Sequence, residues 1–386
     1  MDHLSEVLKI LEGALQHNVR KAADYAGLLA EKLEKDGELR QAGMVRQRLA
    51  KAPMQTLSPA AAAQVALPVD SDSQLRTLDE ERPIVADIDL VLPENAATRV
   101  DEFVRSIFAA EKLAAAGIHH PARLLFSGPP GCGKTQAARM IAASLELPLL
   151  TVRCDTLVSS LLGQTSRNLR RVFEHAESRP CVLFLDEFDA LAKSRADERE
   201  VGELQRIVIA LLQNIDALSP ETILVAATNH EELLDRAVWR RFAWRITLGL
   251  PDDDLRQMLW KKKIGQYWND ELDENQLSAL SVGLSGAGIE HVAHDAIRHA
   301  ILNDHVQIDP VDLIRRLGLV VAMNNGIMLE TKEKEIEFLR QWAPRLLAIR
   351  KLANYYGISQ RQVNNADKGE SHGRKRRKPN SDRPSP

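Results

Sequence analysis

The stretch Gly128-Pro129-Pro130-Gly131-Cys132-Gly133-Lys134-Thr135 decides how this chain is interpreted. Its spacing, Gly-x-x-x-x-Gly-Lys-Thr, predicts a loop whose backbone N–H groups surround a phosphate. Lys134 would reach the β- and γ-phosphates, and the Thr135 hydroxyl is a candidate Mg²⁺ ligand. Leu124–Ser127 reads as a strand before the loop, and Gln136–Ala142 as a helix after it, with its positive end towards the anion. The sequence therefore predicts that residues 128–136 bind a nucleoside triphosphate.

Size and composition narrow the class of protein. The 386 residues suffice for two or three domains, and 44% hydrophobic with 27% charged residues is ordinary for a globular protein. A net charge of -3 gives no global reason to expect nucleic acid or membrane binding. No run of about 18 apolar residues and no signal-peptide pattern occurs, so we expect no membrane partner. Three cysteines, an odd number, are typical of the reducing cytoplasm, which is the predicted compartment.

Changes of pattern along the chain predict six segments. Apolar residues at helical spacing predict helices in residues 1–52, either a bundle that folds for its own sake or an adaptor that recruits a partner. Residues 53–83 are rich in Ala, Ser, Pro and Asp and are predicted to be a linker. The other segments are an α/β core in 84–250, a small helical subdomain in 251–325, a helical extension in 326–365 and a disordered basic tail in 366–386.

Five apolar segments alternate with helical segments in the predicted core. They indicate the α/β class, a parallel sheet with helices on both faces, because parallel strands need helical crossovers. The five segments are Leu124–Ser127, Leu149–Val152, Cys181–Leu185, Ile223–Ala227 and Arg245–Leu248. In such a sheet the ligand lies at the carboxyl ends of the strands.

Two of these strands are followed by polar residues suited to nucleotide chemistry. Asp186 and Glu187 follow Cys181–Leu185. Asp186 is a candidate Mg²⁺ ligand, and Glu187 a candidate base that polarises the attacking water. Asn229 follows the strand Ile223–Ala227 after one threonine, and its amide is a candidate partner of the γ-phosphate or the water. The sequence thus predicts a catalytic site that these residues share with Lys134.

The order of these motifs is that of one ATPase family. The phosphate loop, Phe184–Leu191 and the stretch from Ala227–Asn229 to Arg240-Arg241-Phe242 resemble the Walker A, Walker B and second region of homology of the AAA family of AAA+ ATPases. Leu284–Glu290 resembles the start of that family's lid helix. The resemblance covers residues 84–325. It implies a P-loop NTPase core followed by a helical lid, with ATP and Mg²⁺ as cofactors.

The resemblance also implies an assembly. Nucleotide in this family lies between neighbouring subunits, so the chain is expected to form a homohexamer. Arg241, with Arg240 beside it, would neutralise charge on the γ-phosphate of the neighbouring subunit. Gly286 and Ala287 would lie near adenine. The chain has no Asn-Lys-x-Asp motif, which argues against a GTPase, and Leu284–Gly288 lies after Arg241, where an ABC transporter signature is not expected.

These features predict an oligomeric motor that couples ATP hydrolysis to remodelling or delivery of a protein client. The segment that contains Gly163–Thr165, Asp186–Asp189 and Trp239–Phe242 resembles a bacterial group of AAA ATPases associated with a subtilisin-like protease, which would be a separate partner. Leu161 replaces the aromatic residue of the family's first pore loop, so a regulatory switch that threads nothing is an alternative.

A nucleic-acid-stimulated ATPase is a second alternative. The tail contains the basic run Gly373–Lys378, which can add salt-sensitive affinity for nucleic acid or simply increase solubility. Tyr356–Val363, with Ser359 as N-cap, has the pattern of the turn in a helix-turn-helix. Nucleic acid is therefore an open partner class at this stage.

Overall fold

The computed structural model describes residues 3–15, 19–50, 78–154, 162–191, 201–234 and 236–367. The backbone divides into two compact units, Met1–Gly249 and Leu250–Pro386. The first unit contains a β-sheet with helices, and the second consists of helices in its described residues. Within the part of the chain that is described, no helix has the length and apolarity that crossing a bilayer requires.

A six-stranded sheet forms the centre of the first unit. Its strands are β1 (Leu78–Glu81), β2 (Arg123–Ser127), β3 (Leu149–Arg153), β4 (Val182–Asp186), β5 (Ile223–Thr228) and β6 (Trp244–Thr247). They lie in the order β1-β3-β4-β5-β2-β6. All neighbouring pairs are parallel except the antiparallel edge pair β1 and β3. The predicted α/β fold with a parallel sheet of five strands, β2 to β6, is therefore confirmed.

Strand β1 is an addition to the predicted sheet. It lies at the end of the segment whose composition indicated a linker, and only Leu78 among its four residues is apolar. Leu78 is buried, whereas Glu81 accepts two hydrogen bonds from Arg139 at 2.8 and 2.5 Å. Arg179 donates to Glu80 at 3.2 and 2.8 Å. Two arginines of the core thus hold an acidic strand that has almost no apolar pattern of its own.

Helices cover both faces of the sheet. Those of the first unit are α1 (Leu4–Leu15), α2 (Val19–Lys35), α3 (Leu39–Ala50), α4 (Glu94–Phe108), α5 (Ala110–Ala115), α6 (Lys134–Ser144), α7 (Leu162–Glu177), α8 (Val201–Ala217) and α9 (Arg236–Trp239). Leu183 and Leu185 of β4 belong to an apolar cluster with α7 and α8. Val182 and Phe184 belong to a second cluster with α4 and α6. Alternate residues of one strand therefore face two helical layers, which makes a three-layer core.

Helices α1 and α2 contact the sheet edge at which the strands begin. Lys9 of α1 donates to Ser219 Oγ at 3.3 Å and forms an ion pair with Glu221 at 3.0 Å. Lys35 of α2 pairs with Glu146. The three partner residues precede β5 and β3, so these helices pack at the amino ends of the strands. The carboxyl ends, where the sequence places the ligand, are at the opposite edge.

The second unit contains the helices α10 (Asp253–Ile264), α11 (Glu274–Leu280), α12 (Gly286–Leu302), α13 (Pro310–Asn324), α14 (Lys332–Trp342), α15 (Ile349–Tyr356) and α16 (Gln360–Asp367). Helices α10 to α14 each begin at a side chain that accepts a hydrogen bond from the first turn. Helices α14 and α15 are separate parts of the helical extension predicted for residues 326–365. Pro344 lies between them and cannot continue a helix, because it lacks the N–H group and its ring clashes with the preceding turn.

Candidate nucleotide-binding site

The phosphate loop connects the carboxyl end of β2 to the first turn of α6. Gly128, Gly131 and Gly133 have φ angles of 136°, 76° and 93°, a region that favours glycine. A Cβ atom on Gly128 would lie 2.0 Å from the carbonyl oxygen of Leu248, so a side chain does not fit there. Gly133 is the N-cap of α6. The loop thus has the backbone conformation and the adjoining helix N-terminus that binding a phosphate requires.

The other predicted loop residues lie in the same segment. Pro129 and Pro130 are exposed, and Gln136 is half-buried in α6. Cys132 is half-buried, and burial raises the pKa of its thiol, although Lys134 acts in the opposite direction. A thiol with a raised pKa stays protonated at neutral pH, which agrees with a contribution from the Cys132 backbone alone.

Lys134 lies inside the phosphate loop. Its Nζ donates hydrogen bonds to the carbonyl oxygens of Gly128 and Pro129 at 2.7 and 2.8 Å. The residue is only 8% exposed. Burial lowers the pKa of its ammonium group, while Cys132 and Asp186 act to raise it. A cation with little solvent around it attracts an anion more strongly than a hydrated one does, so Lys134 is well placed to bind phosphate.

The two predicted Mg²⁺ ligands contact each other. Thr135, in the first turn of α6, donates from Oγ1 to Oδ2 of Asp186, the last residue of β4, at 3.1 Å. No group of three or more His, Cys, Asp or Glu side chains that could hold a metal ion occurs among the described residues. A Mg²⁺ ion at the Thr135–Asp186 pair would therefore complete its shell with phosphate oxygens and water, as Mg²⁺ commonly does.

Glu187 follows Asp186 in an unusual backbone conformation. Its φ of 51° is in the left-handed region, which residues other than glycine rarely adopt. Its N–H donates to Asp186 Oδ1 at 2.9 Å, and its side chain is exposed. Such a conformation costs about 1–3 kcal/mol and is found most often at functional sites. The turn after β4 thus keeps an exposed carboxylate beside the Thr135–Asp186 pair.

The structure adds Asp189, to which the sequence analysis gave no role. This residue lies in the short 3-10 helix Phe188–Leu191 and is 3% exposed. Its Oδ1 accepts hydrogen bonds from the Asn229 N–H at 3.1 Å and from the Thr228 hydroxyl at 3.3 Å. Asp189 therefore joins the end of β4 to the end of β5 and positions Asn229. A carboxylate in the apolar run Phe188–Leu191 was the available signal, because a buried charge needs partners.

The two predicted arginines lie in different environments. Arg241 donates to both carboxylate oxygens of Asp216, at 2.8 and 2.6 Å, and to the Ala237 carbonyl at 2.6 Å. Arg240 is exposed, and we find no hydrogen bond or ion pair between it and any residue that the structure describes. Burial lowers the pKa of Arg123, whereas Asp216 raises it and Arg241 lowers it. The pair Asp216 and Arg241 is thus close to Arg123.

The position of Arg123 indicates that Arg240 and Arg241 lie away from the phosphate loop. Arg123 begins β2, and the loop follows the last residue of that five-residue strand. At 3.3 Å per residue, roughly 13 Å separate the two ends. Lys134, Asp186 and Asn229 lie together at the carboxyl ends of the strands. The structure does not bring the arginine pair to them within one chain.

The residues expected at the start of a lid helix belong to the second unit. Gly286 and Ala287 are the first residues of α12, and the Ser285 hydroxyl accepts a hydrogen bond from the Gly288 N–H at 3.3 Å. The helix therefore begins where the sequence resemblance expects it. The contact of Gly286 and Ala287 with adenine stays a prediction, and Leu161 of the expected pore loop lies outside the described residues.

Comparison with known proteins agrees with this site. Residues 124–250 match the family model described as ATPase family associated with various cellular activities (AAA). An uncharacterized AAA family ATPase of Sinorhizobium fredii is 41% identical over 55% of this chain and 64% of its own length. The ATP-dependent zinc metalloprotease FtsH 4 of Sphaerobacter thermophilus is 30% identical over 68% of this chain and 42% of its own length. Proteasome-activating nucleotidase 2 of Halobacterium salinarum is 30% identical over 63% and 62%.

The chain spans 42% to 64% of the length of these three relatives. The family match includes the phosphate loop, the Asp186-Glu187 pair, Asn229 and the two arginines. These are the residues that the structure places at the two ends of the strands. Residues 124–250 therefore form a domain that matches the AAA family of ATPases.

Proposed function

We propose that this chain is an oligomeric ATPase that hydrolyses ATP in sites shared between subunits and thereby remodels or delivers a protein client. The observation that carries the proposal is the separation of two sets of groups. Lys134, Thr135, Asp186 and Asn229 lie at the carboxyl ends of the strands, whereas the arginines lie towards the amino ends. A ring in which each subunit completes the site of its neighbour suits this separation, because head-to-tail interfaces close into rings.

The described residues divide the chemistry of one site among them. The loop amides and Lys134 bind the phosphates, and Thr135 and Asp186 hold Mg²⁺, which supplies positive charge to the phosphate oxygens when it is bound. Glu187 accepts the proton of the attacking water. Asn229 binds the γ-phosphate or that water. Its backbone hydrogen bond to Asp189 fixes its position. Each role uses a group whose place in the fold is described above.

Arg240 is the arginine that is free to reach a neighbouring subunit. Arg241 is held on both sides, by the Asp216 carboxylate and by the Ala237 carbonyl. We therefore assign to Arg240 the direct contact with the neighbour's γ-phosphate. Arg241 keeps the segment after α9 in place, so it affects the rate through the position of Arg240.

The names of the relatives support a protein client. Two of them are named an ATP-dependent zinc metalloprotease and a proteasome-activating nucleotidase. This chain would likewise act on a protein, together with a separate protease. The subtilisin-like protease, the homohexamer and the cytoplasmic location stay predictions from the sequence. A switch that threads nothing stays the alternative, which Leu161→Asp would distinguish, because only a threading motor should lose client processing.

Dilution tests the shared site. The ATPase rate per subunit should fall when the protein is diluted until sedimentation shows monomers, because the arginine of the neighbour is then lost. The Lys134→Ala variant should lack activity at every concentration, since it removes the cation of the phosphate loop. A rate per subunit that stays the same for monomers and oligomers would contradict a site completed by a neighbour.

Replacing Asp189 by alanine should slow ATP hydrolysis by about 100-fold, because Asn229 loses the acceptor that positions its backbone. The unfolding free energy should fall by about 1–3 kcal/mol, since the buried Thr228 hydroxyl loses the same acceptor. Asp189→Asn retains an oxygen at the same place and should lose less than about tenfold in rate. Steady-state ATPase assays and denaturant unfolding measure both quantities. Equal rate losses in the two variants would argue against a positioning role.

A further inference from the structure

Helices α15 and α16 are joined by a tight turn, Gly357-Ile358-Ser359. Gly357 ends α15 with a φ of 63° and a ψ of 36°, and the Ile358 N–H donates to the Ala353 carbonyl at 3.0 Å. Ser359 then caps the N-terminus of α16. Its Oγ accepts from the Gln362 N–H at 3.3 Å, and Gln362 Oε1 accepts from the Ser359 N–H at 2.8 Å. This reciprocal pair is a capping box, so both ends of the turn are fixed by hydrogen bonds.

Buried apolar residues hold the two helices together. Leu352 and Ala353 of α15 and Val363 and Ala366 of α16 are the buried residues of these helices. Helix α14 packs beside them, where Arg340 pairs with Asp367 at 3.3 Å. Two short helices joined by a three-residue turn with glycine, and supported by a third helix, are a helix-turn-helix. The turn expected at Tyr356–Val363 is therefore present.

A network of polar contacts attaches this helix-turn-helix to α13. Arg315 of α13 donates to Glu335 at 2.5 Å and to the Tyr356 hydroxyl at 3.0 Å. The Tyr355 hydroxyl donates to Asp312 at 2.5 Å. Burial and that hydrogen bond raise the pKa of Tyr355 to about 12, so the hydroxyl keeps its proton at neutral pH. The helix-turn-helix is thus a firmly held part of the second unit.

The exposed face of α16 carries side chains that recognise DNA bases. Gln360, Arg361 and Asn364 are exposed, whereas Gln362 is engaged by Ser359 and Asp367 by Arg340. Arginine binds guanine, and glutamine and asparagine bind adenine, at the edges that the major groove presents. Arg361 has no hydrogen bond or ion pair with the residues that the structure describes. The face therefore offers amides and a free guanidinium to a ligand.

The charge of this part of the chain complements a polyanion. Residues 343–386 contain eleven Lys and Arg and three Asp and Glu, a net charge of +8, while the whole chain has -3. Arg345, Arg350 and Lys351 are exposed beside and within α15. The sequence after α16 contains five consecutive basic residues, Arg374–Lys378. Positive charge gathered at one end of an otherwise acidic chain is typical of a nucleic-acid-binding segment.

We propose that this chain binds duplex DNA, with α16 in the major groove and the exposed Arg345, Arg350 and Lys351 on the phosphates. A helix-turn-helix places its second helix in this groove, with residues near the start of that helix on the bases. The exposed positions of α16 are polar, which suits base edges and phosphates better than the apolar core of a protein–protein interface. The proposed DNA site shares no residue with the nucleotide site, so the two proposals fail or hold independently.

The experiment measures DNA binding by the full chain with fluorescence anisotropy. The wild-type protein should bind a labelled duplex of random sequence more tightly than the single strand, with an affinity that falls steeply as salt rises. Selection from a pool of random duplexes should enrich one motif. Arg361→Ala and Asn364→Ala should each weaken binding to the selected duplex by about tenfold or more, and binding to unrelated duplexes much less. Arg40→Ala, which removes an exposed arginine of α3, should change neither.

Several outcomes would overturn the proposal. They are the absence of duplex binding at low salt, a preference for single strands or RNA, and a pool from which no motif is enriched. Binding that is lost only when residues 368–386 are deleted, with Arg361→Ala and Asn364→Ala unchanged, would assign DNA contact to the tail alone. All variants should keep the ATPase rate and the melting temperature of the wild type, because both substituted side chains are exposed and distant in sequence from the nucleotide site.

Discussion

The Glu187→Gln variant should hydrolyse ATP about 10²–10⁴-fold more slowly than the wild type and still bind ATP. Glutamine has nearly the same shape as glutamate but cannot accept the proton of the attacking water. Lys134, Thr135 and Asp186, which bind the phosphates and Mg²⁺ in this proposal, are unchanged. Steady-state ATPase assays and calorimetric titration with ATP measure the two effects separately. Sedimentation should show that ATP stabilises the oligomer of this variant, because the bound nucleotide is not consumed.

One control variant makes this result specific. Glu231→Gln removes an exposed carboxylate that follows β5 at the same sheet edge, and it should leave the rate unchanged. Glu187→Gly is a poor substitute for Glu187→Gln, because glycine would also relieve the backbone strain at a φ of 51°. A Glu187→Gln variant that turns over ATP at the wild-type rate would show that another group activates the water.

Those strands of the sheet that are buried on both faces could be predicted from the sequence. Strands such as β4 and β5 are continuous apolar runs, and this pattern identifies them without tertiary information. Strand β1 could not be found in this way. Its place depends on ion pairs with Arg139 and Arg179, which lie 58 and 99 residues further along the chain. Only the folded structure shows that these partners are within reach.

The candidate site could likewise be predicted only where the local sequence determines the position of a residue. Lys134 and Thr135 lie in the expected loop, because their places depend on local backbone conformation. The hydrogen bonds from Asn229 to Asp189 and from Arg241 to Asp216 join residues 40 and 25 positions apart. No local pattern encodes such pairings, so the sequence could name both arginines but could not distinguish the paired one from the free one.

Replacing Arg240 by alanine should slow ATP hydrolysis by ~10³–10⁵-fold, the usual value of an arginine supplied to a γ-phosphate from a neighbour. Nucleotide binding should remain, since Lys134 and the loop amides are in another part of the subunit. Arg241→Ala should have a smaller effect, about 100-fold, because it displaces the segment that carries Arg240. Asp216→Asn, which weakens the ion pair of Arg241, should act in the same direction as Arg241→Ala. A larger loss for Arg241→Ala than for Arg240→Ala would assign the direct contact to Arg241.

Mixing two inactive variants distinguishes an arginine that acts across the interface from one that acts in its own subunit. An Arg240→Ala subunit retains Glu187, and a Glu187→Gln subunit retains Arg240. Mixed oligomers therefore contain some interfaces with a complete site, and activity should return when the two proteins are combined. The same mixture with a Lys134→Ala, Arg240→Ala double variant should stay inactive, because no subunit then has the phosphate-loop lysine together with Glu187. If Arg240 served its own subunit, no mixture could restore hydrolysis, since every site would lack either the base or the arginine.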